Sequence, residues 1–242
     1  MKFSRIRQTS YSVISGLLLL LTVCSCGSSD SKTNSTSTAT DNQATSAESR
    51  SAATAKKPVI LFYGNSLTAG YGVEPSQAFP ALVGQKIDSA GLNYQVINAG
   101  LSGETTAGGR SRISWVMRQP VAVFVLELGG NDGLRGLPLK ATRENLQAIM
   151  DTVRRKSPEA TIVLAGMQIP PNLGTTYTRE FRELFKELAD KNKAVLIPFL
   201  LEGVGGIPRL NQPDGIHPTP AGHKIVANTV WGVLQPVLKK GV

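Results

Sequence analysis

Five short, almost uninterrupted apolar runs constrain this chain more than any other feature. They are "VILFY" at residues 59–63, "YQVIN" at 94–98, "VAVFVLEL" at 121–128, "TIVLAG" at 161–166 and "AVLIPF" at 194–199. None alternates apolar with polar residues, so the runs read as strands buried on both faces. Helical patterns lie between them. "FPALVGQKIDS" spans 79–89, and a weaker pattern with glycines at 108 and 109 spans 106–118. Residues 142–156 place Leu146, Ile149, Met150 and Val153 on one face, and residues 177–191 do the same with Phe181, Leu184, Phe185 and Leu188. Thr219 and Pro220 mark the N-cap and first position of a last helix expected to reach about residue 238. Strand and helix in alternation predict an α/β domain, a parallel sheet of about five strands between two helical layers.

In such sheets ligands bind beyond the carboxyl ends of the strands. The polar and glycine-rich sequence falls there. Ser66 follows the first run, "NAGLSGETT" with Gly100 and Gly103 the second, and "GGNDGLRG" with Asn131 the third. After the fifth, a long loop leads to "QPDGIHPT" with Asp214 and His217. Any one of these is an ordinary turn composition. Together they hold the parts of an acyl-transfer site. A serine hydroxyl needs a base to take its proton. His217 is one of only two histidines, and Asp214, three residues earlier, can fix its tautomer. The backbone N–H groups of Ser66 and Gly103 and the side-chain amide of Asn131 are candidate donors for an oxyanion. The serine context G-N-S-L-T lacks the second glycine of the α/β-hydrolase nucleophile elbow.

These blocks resemble the SGNH, or GDSL-type, serine hydrolases. "YGNSLTAGYG" matches the nucleophile block, "NAGLSGETT" the glycine block, "ELGGNDGLRG" the asparagine block and "DGIHP" the acid–base block, in family order. "MQIPPNLGTTYTREF" at 167–181 is similar to the branch of thioesterase I/lysophospholipase L1 and the bacterial arylesterases. The resemblance implies a flavodoxin-like three-layer fold, no metal and no organic cofactor. It implies the same roles for Ser66, His217, Asp214, Gly103 and Asn131. One departure is Asn65, where the family usually has aspartate. The exchange keeps size and an acceptor but loses a charge, so only a modest effect on hydrogen bonding or pH dependence is expected.

Two other features bound the chain. Lys2, Arg5 and Arg7 precede an apolar run at 13–23 that is too short to span a bilayer, which takes roughly 20 residues. "VCSCGSS" then resembles a bacterial lipoprotein cleavage box with Cys26 lipidated, although Cys24 occupies a position usually filled by a small non-cysteine residue. The expected organisation is a leader at 1–26, a flexible Ser/Thr-rich tether at 27–56 and one hydrolase domain at 57–242. Both cysteines lie in the leader, so a disulfide within the domain is excluded. By resemblance to lipoprotein sorting patterns, Gly27 after the cysteine points to an outer membrane, where the organism has one. The net charge of +9, or about +6 without the three leader cations, is scattered rather than clustered. That argues against a nucleic-acid partner.

His223 falls in the first turn of the last helix and reads as structural. Glu104 and Asp132 as a glycosidase pair would leave Ser66 and His217 unexplained. Arg135 is open to two readings, a guide for an anionic substrate or a structural ion pair. The expected function is that of a monomeric, exported, membrane-anchored serine esterase acting on lipid-like or aryl esters. Asn65, Gln168, Ile169, Pro170 and Tyr177 are expected in its substrate pocket. A carbohydrate O-acetyl esterase and an inactive binding lipoprotein are the alternatives.

Overall fold

A computed structural model describes residues 56–238. The leader, most of the tether and Cys26 lie outside the described residues. Five parallel strands form one sheet in the order β2-β1-β3-β4-β5. They are β1 (Val59–Gly64), β2 (Gln95–Gly100), β3 (Val123–Glu127), β4 (Thr161–Ala165) and β5 (Val195–Ile197). All five coincide with the apolar runs. Burial on both faces holds for β1 and β3 throughout and for most of β4. It fails at the sheet edges, where β2 is largely exposed or half-buried and β5 half-buried. An edge strand lacks a neighbour on one side, so part of its surface stays open.

The helices are α1 (Ser66–Ala69), α2 (Phe79–Ser89), α3 (Thr106–Val116), α4 (Gly130–Leu134), α5 (Leu139–Lys156), α6 (Thr175–Asn192) and α7 (Pro220–Leu234). α2 packs against α7, while α3 packs on α5 and α5 on α6. This division follows from right-handed crossovers. The chain steps from β1 outward to β2, then reverses and runs through β3, β4 and β5. The reversal puts α2 on one face and α3, α5 and α6 on the other. It also opens the crevice between β1 and β3 where such sheets take ligands.

α7 stops at Leu234 and passes into a 3-10 turn at Gln235–Val237, short of the expected end. Pro236 has no N–H to continue the ladder. The core carries Phe62 edge-on to Phe79 at 5.7 Å and Phe181 edge-on to Phe185 at 5.3 Å, all four buried. Each such aromatic contributes on the order of 2–3 kcal/mol by leaving water.

His223 has the expected structural role. It is buried in the first turn of α7, and its Nδ1 accepts the Phe79 N–H at 3.3 Å. It therefore caps α2, whose N-cap Ala78 offers no side-chain acceptor. Burial, then the neighbouring His217, pull its pKa down to about 4. A base held neutral in the fold but free to charge when unfolded makes stability fall as pH drops from about 6.5 towards 4. The loss expected is on the order of 3 kcal/mol at most, since each pH unit is worth about 1.4 kcal/mol. Urea midpoints at pH 7.5 and 5 for wild type and His223→Gln check this. The gap between the two pH values must shrink in the variant, and an unchanged gap assigns the loss to other groups.

Candidate active site

Ser66 opens α1 at the carboxyl end of β1, an interior strand of the sheet. The helix is one turn long, and Asn65 caps it: Oδ1 accepts the Leu67 N–H at 2.9 Å. The same Oδ1 lies 3.4 Å from Ser66 Oγ, at the limit of a hydrogen bond. Neither this helix nor α4 was anticipated from the sequence, because four or five residues carry no periodicity.

Asp214 and His217, the candidate acid and base, sit on a loop closed by a bridge between Asn211 and Pro218. Within it the Gln212 N–H donates to the His217 carbonyl at 2.7 Å. Asp214 Oδ1 accepts the N–H groups of Ile216 and His217, each at 3.0 Å, the local turn that aspartate favours. Its other oxygen, Oδ2, lies 2.7 Å from His217 Nδ1. An ionised carboxylate only accepts, so Nδ1 carries the proton. Nε2 is then free to accept the Ser66 hydroxyl, 2.8 Å away. Partial burial pushes the Asp214 carboxyl up, but hydrogen bonds from the His217 ring and from the two N–H groups outweigh it and leave it at about 2. Tyr71 covers the His217 ring, with ring centroids 4.6 Å apart. Gln212 Nε2 ties that segment to the loop by donating to the Tyr71 carbonyl at 2.7 Å.

Asn131 lies in α4, just beyond β3. One hydrogen of its amide goes to the Glu104 carbonyl at 2.9 Å. That contact joins α4 to the turn containing Gly103, where the Glu104 N–H donates to Leu101. Gly103 has φ +79°, the left-handed region in which a side chain is strained. Arg135 forms no ion pair among the described residues. It donates to the Gly103 carbonyl at 3.2 Å and so braces the same turn. Glu104 is paired with Arg112, and Asp132 accepts the Thr106 N–H at 2.9 Å and its hydroxyl at 2.6 Å. Both carboxylates are thus committed to structure.

A cavity of about 300 Å³ opens beside Ser66, Asn131 and His217. Asn65, Gln168, Ile169 and Pro170 line it. Tyr177 does not. Its hydroxyl donates to the Leu137 carbonyl at 2.7 Å, and its ring stacks on Phe181 in α6. The chain turns away after Pro170 into a 3-10 turn at Pro171–Leu173, which carries Tyr177 out of the pocket. Gly103 is not part of the lining either; it borders the site through the Glu104–Asn131 contact. The apolar wall comes instead from Leu134, Met167, Phe199, Leu201 and Ile216. Phe199 and Leu201 belong to "PFLLEGVGG" after β5, whose apolar residues in a loop leading to Asp214 were the available signal.

Glu127 ends β3, is 1% exposed, and reaches beneath α1. Burial pushes its carboxyl up to about 7, against hydrogen bonds from Thr68 and Asn65 that pull it down.

A family model for GDSL-like lipases and acylhydrolases matches residues 62–225, which contain every one of these groups. The chain belongs to the GDSL-like lipase/acylhydrolase family. It is 38% identical to Esterase TesA of Pseudomonas aeruginosa over 185 residues, 76% of this chain and 91% of that protein. It is 36% identical to the thioesterase 1/protease 1/lysophospholipase L1 of Escherichia coli K12 over 185 residues, 76% of this chain and 86% of that one. A crystal structure of TesA superposes with a TM-score of 0.71 at 38% identity, covering 74% of this chain and 99% of that one. The family and fold expected from the four sequence blocks are those observed. So is the branch, despite asparagine at position 65 of this GDSL-family member.

Proposed function

We propose that this family member is a serine esterase in which Ser66 is the nucleophile, His217 the general base and Asp214 the group that orients it. The observation that carries the reading is the unbroken relay from Asp214 through His217 to Ser66 at 2.7 and 2.8 Å. Ser66 Oγ attacks the carbonyl carbon of the ester while His217 Nε2 takes its proton. The carbonyl electron pair moves onto oxygen, which is held by the N–H groups of Ser66 and Gly103 and the second amide hydrogen of Asn131. Collapse expels the alcohol, which leaves with the proton from His217. Water then releases the acid by the same steps in reverse order.

The substrates are carboxylic esters with an apolar acyl or aryl part. Two features support this: the wall of Leu134, Met167, Phe199, Leu201 and Ile216, and the esterase, thioesterase and lysophospholipase activities named for the relatives. Hydrolysis of p-nitrophenyl esters from acetate to palmitate tests the reading. A medium-chain optimum is expected, and turnover confined to acetate would overturn the acyl-pocket assignment.

Export and membrane anchoring at Cys26 are part of the same proposal, supported by the basic, apolar and cysteine-containing leader sequence. Among the described residues no helix is long and apolar enough to cross a membrane. Labelling with radioactive palmitate is expected in wild type and not in Cys26→Ala. Equal labelling of both would sink the anchor. A monomer suffices for the site, since one chain supplies every group in it.

A further inference from the structure

Glu127 is a carboxylate in a place where fold stability alone would favour an apolar side chain. It lies at the end of an all-buried central strand, and among the described residues no cation is within ion-pair distance of it. Burying such a group is costly unless hydrogen bonds replace its hydration. Four do, and all four come from the turn that carries Ser66. Oε2 accepts the Asn65 N–H at 3.1 Å, the Thr68 N–H at 3.3 Å and the Thr68 hydroxyl at 2.7 Å. Oε1 accepts the Asn65 side-chain amide at 2.8 Å. Space for the carboxylate is made by Gly64, where an added Cβ would lie 2.5 Å from Oε2 and closer still to the Thr68 hydroxyl.

We propose that Glu127 is the positioning residue of the nucleophile, holding Ser66 in line with His217 by clamping Asn65 before it and Thr68 after it. α1 has four residues, and a helix of one turn has almost no stability of its own. Its geometry must be imposed from outside. Glu127 imposes it twice. Directly, it grips the backbone on either side of Ser66, at residues 65 and 68. Indirectly, it fixes which way the Asn65 amide points. With Nδ2 turned to the carboxylate, Oδ1 necessarily faces the Leu67 N–H and the Ser66 hydroxyl. Asn65 thus belongs to the support beneath the nucleophile as well as to the cavity lining. Because it donates to Glu127, position 65 needs no shared proton, which an aspartate facing a buried glutamate would require.

The proposal rests on the serine-esterase reading, and its test is a swap measured on a p-nitrophenyl ester. Glu127→Gln turns the Nδ2 contact into two amide donors facing each other. We expect kcat to fall about 10- to 100-fold with KM within about twofold, as a misplaced nucleophile gives. Adding Asn65→Asp reverses that one hydrogen bond, since the new amide now donates to the new carboxylate, and leaves the other three as they were. The double variant is expected to return to within about threefold of wild type, a coupling that loss of stability alone would not produce. If Glu127→Gln does not fold, Thr68→Val removes one of the four donors at constant shape. It is expected to lower kcat about fivefold at unchanged KM. Wild-type kcat in either single variant, a loss confined to KM, or a double variant no better than Glu127→Gln overturns the proposal while the esterase reading stands. An inactive wild type overturns both.

Discussion

Ser66→Ala is expected to lower kcat on p-nitrophenyl esters by about 10⁵-fold or more, the scale seen when a serine hydrolase loses its nucleophile. The geometry leaves no substitute. The neighbouring hydroxyl of Thr68 is buried and committed to Glu127. His217 Nε2 would face a methyl group. The loss should appear at every chain length, whereas a pocket defect would change the chain-length profile. KM should move little, because the apolar wall is untouched. The fold should also survive, since among the described residues Ser66 Oγ bonds to His217 and, weakly, to Asn65 and to nothing else. A variant that keeps even a hundredth of wild-type kcat would show that Ser66 is not the nucleophile.

Asp214→Asn should cost nearly as much, about 10⁴-fold in kcat, through a tautomer rather than through missing chemistry. The carboxylate accepts on both oxygens, from two backbone N–H groups on one and from His217 Nδ1 on the other. An asparagine that keeps the backbone contacts turns its NH₂ towards Nδ1. The imidazole must then accept there and carry its hydrogen on Nε2, where it cannot take the serine proton. Asp214→Ala merely removes the partner, so it is expected to lose less than the isosteric change. The comparison of kcat between these two variants is the measurement. The reverse ranking would mean that Asp214 acts through its charge and not by setting the tautomer. In wild type the carboxyl sits at about 2, so this group stays ionised and contributes no pH dependence to kcat between about pH 4 and 9.

The sheet and the relay were legible in the sequence for physical reasons. Buried parallel strands must be apolar throughout, and residues beyond their carboxyl ends are freed from packing to carry polar groups. The same logic explains what was not legible. The exposure of β2 and β5 depends on strand order, which no local pattern states. The pocket wall at Phe199 and Leu201 is built by a loop folding back over the sheet edge, and apolar loop residues look like core until their partners are known. Tyr177 was misplaced because one 3-10 turn decides which way the chain leaves Pro170. Asn65 stood out in the sequence as a modest exchange. Its weight becomes visible only with Glu127, 62 positions away, whose lone charge inside "VAVFVLEL" was the clue.

Ser66 stands at the start of the domain and His217 151 positions later, on a closed loop that follows the last strand. On the proposed roles, a ribosome makes the nucleophile long before its base. Until that final loop emerges and docks against α1, the growing chain carries a serine with no proton acceptor. The order of synthesis keeps an ester-cleaving protein inert for most of its making. On that reading, hydrolysis waits until Asp214 and His217 arrive together, on one short piece of chain.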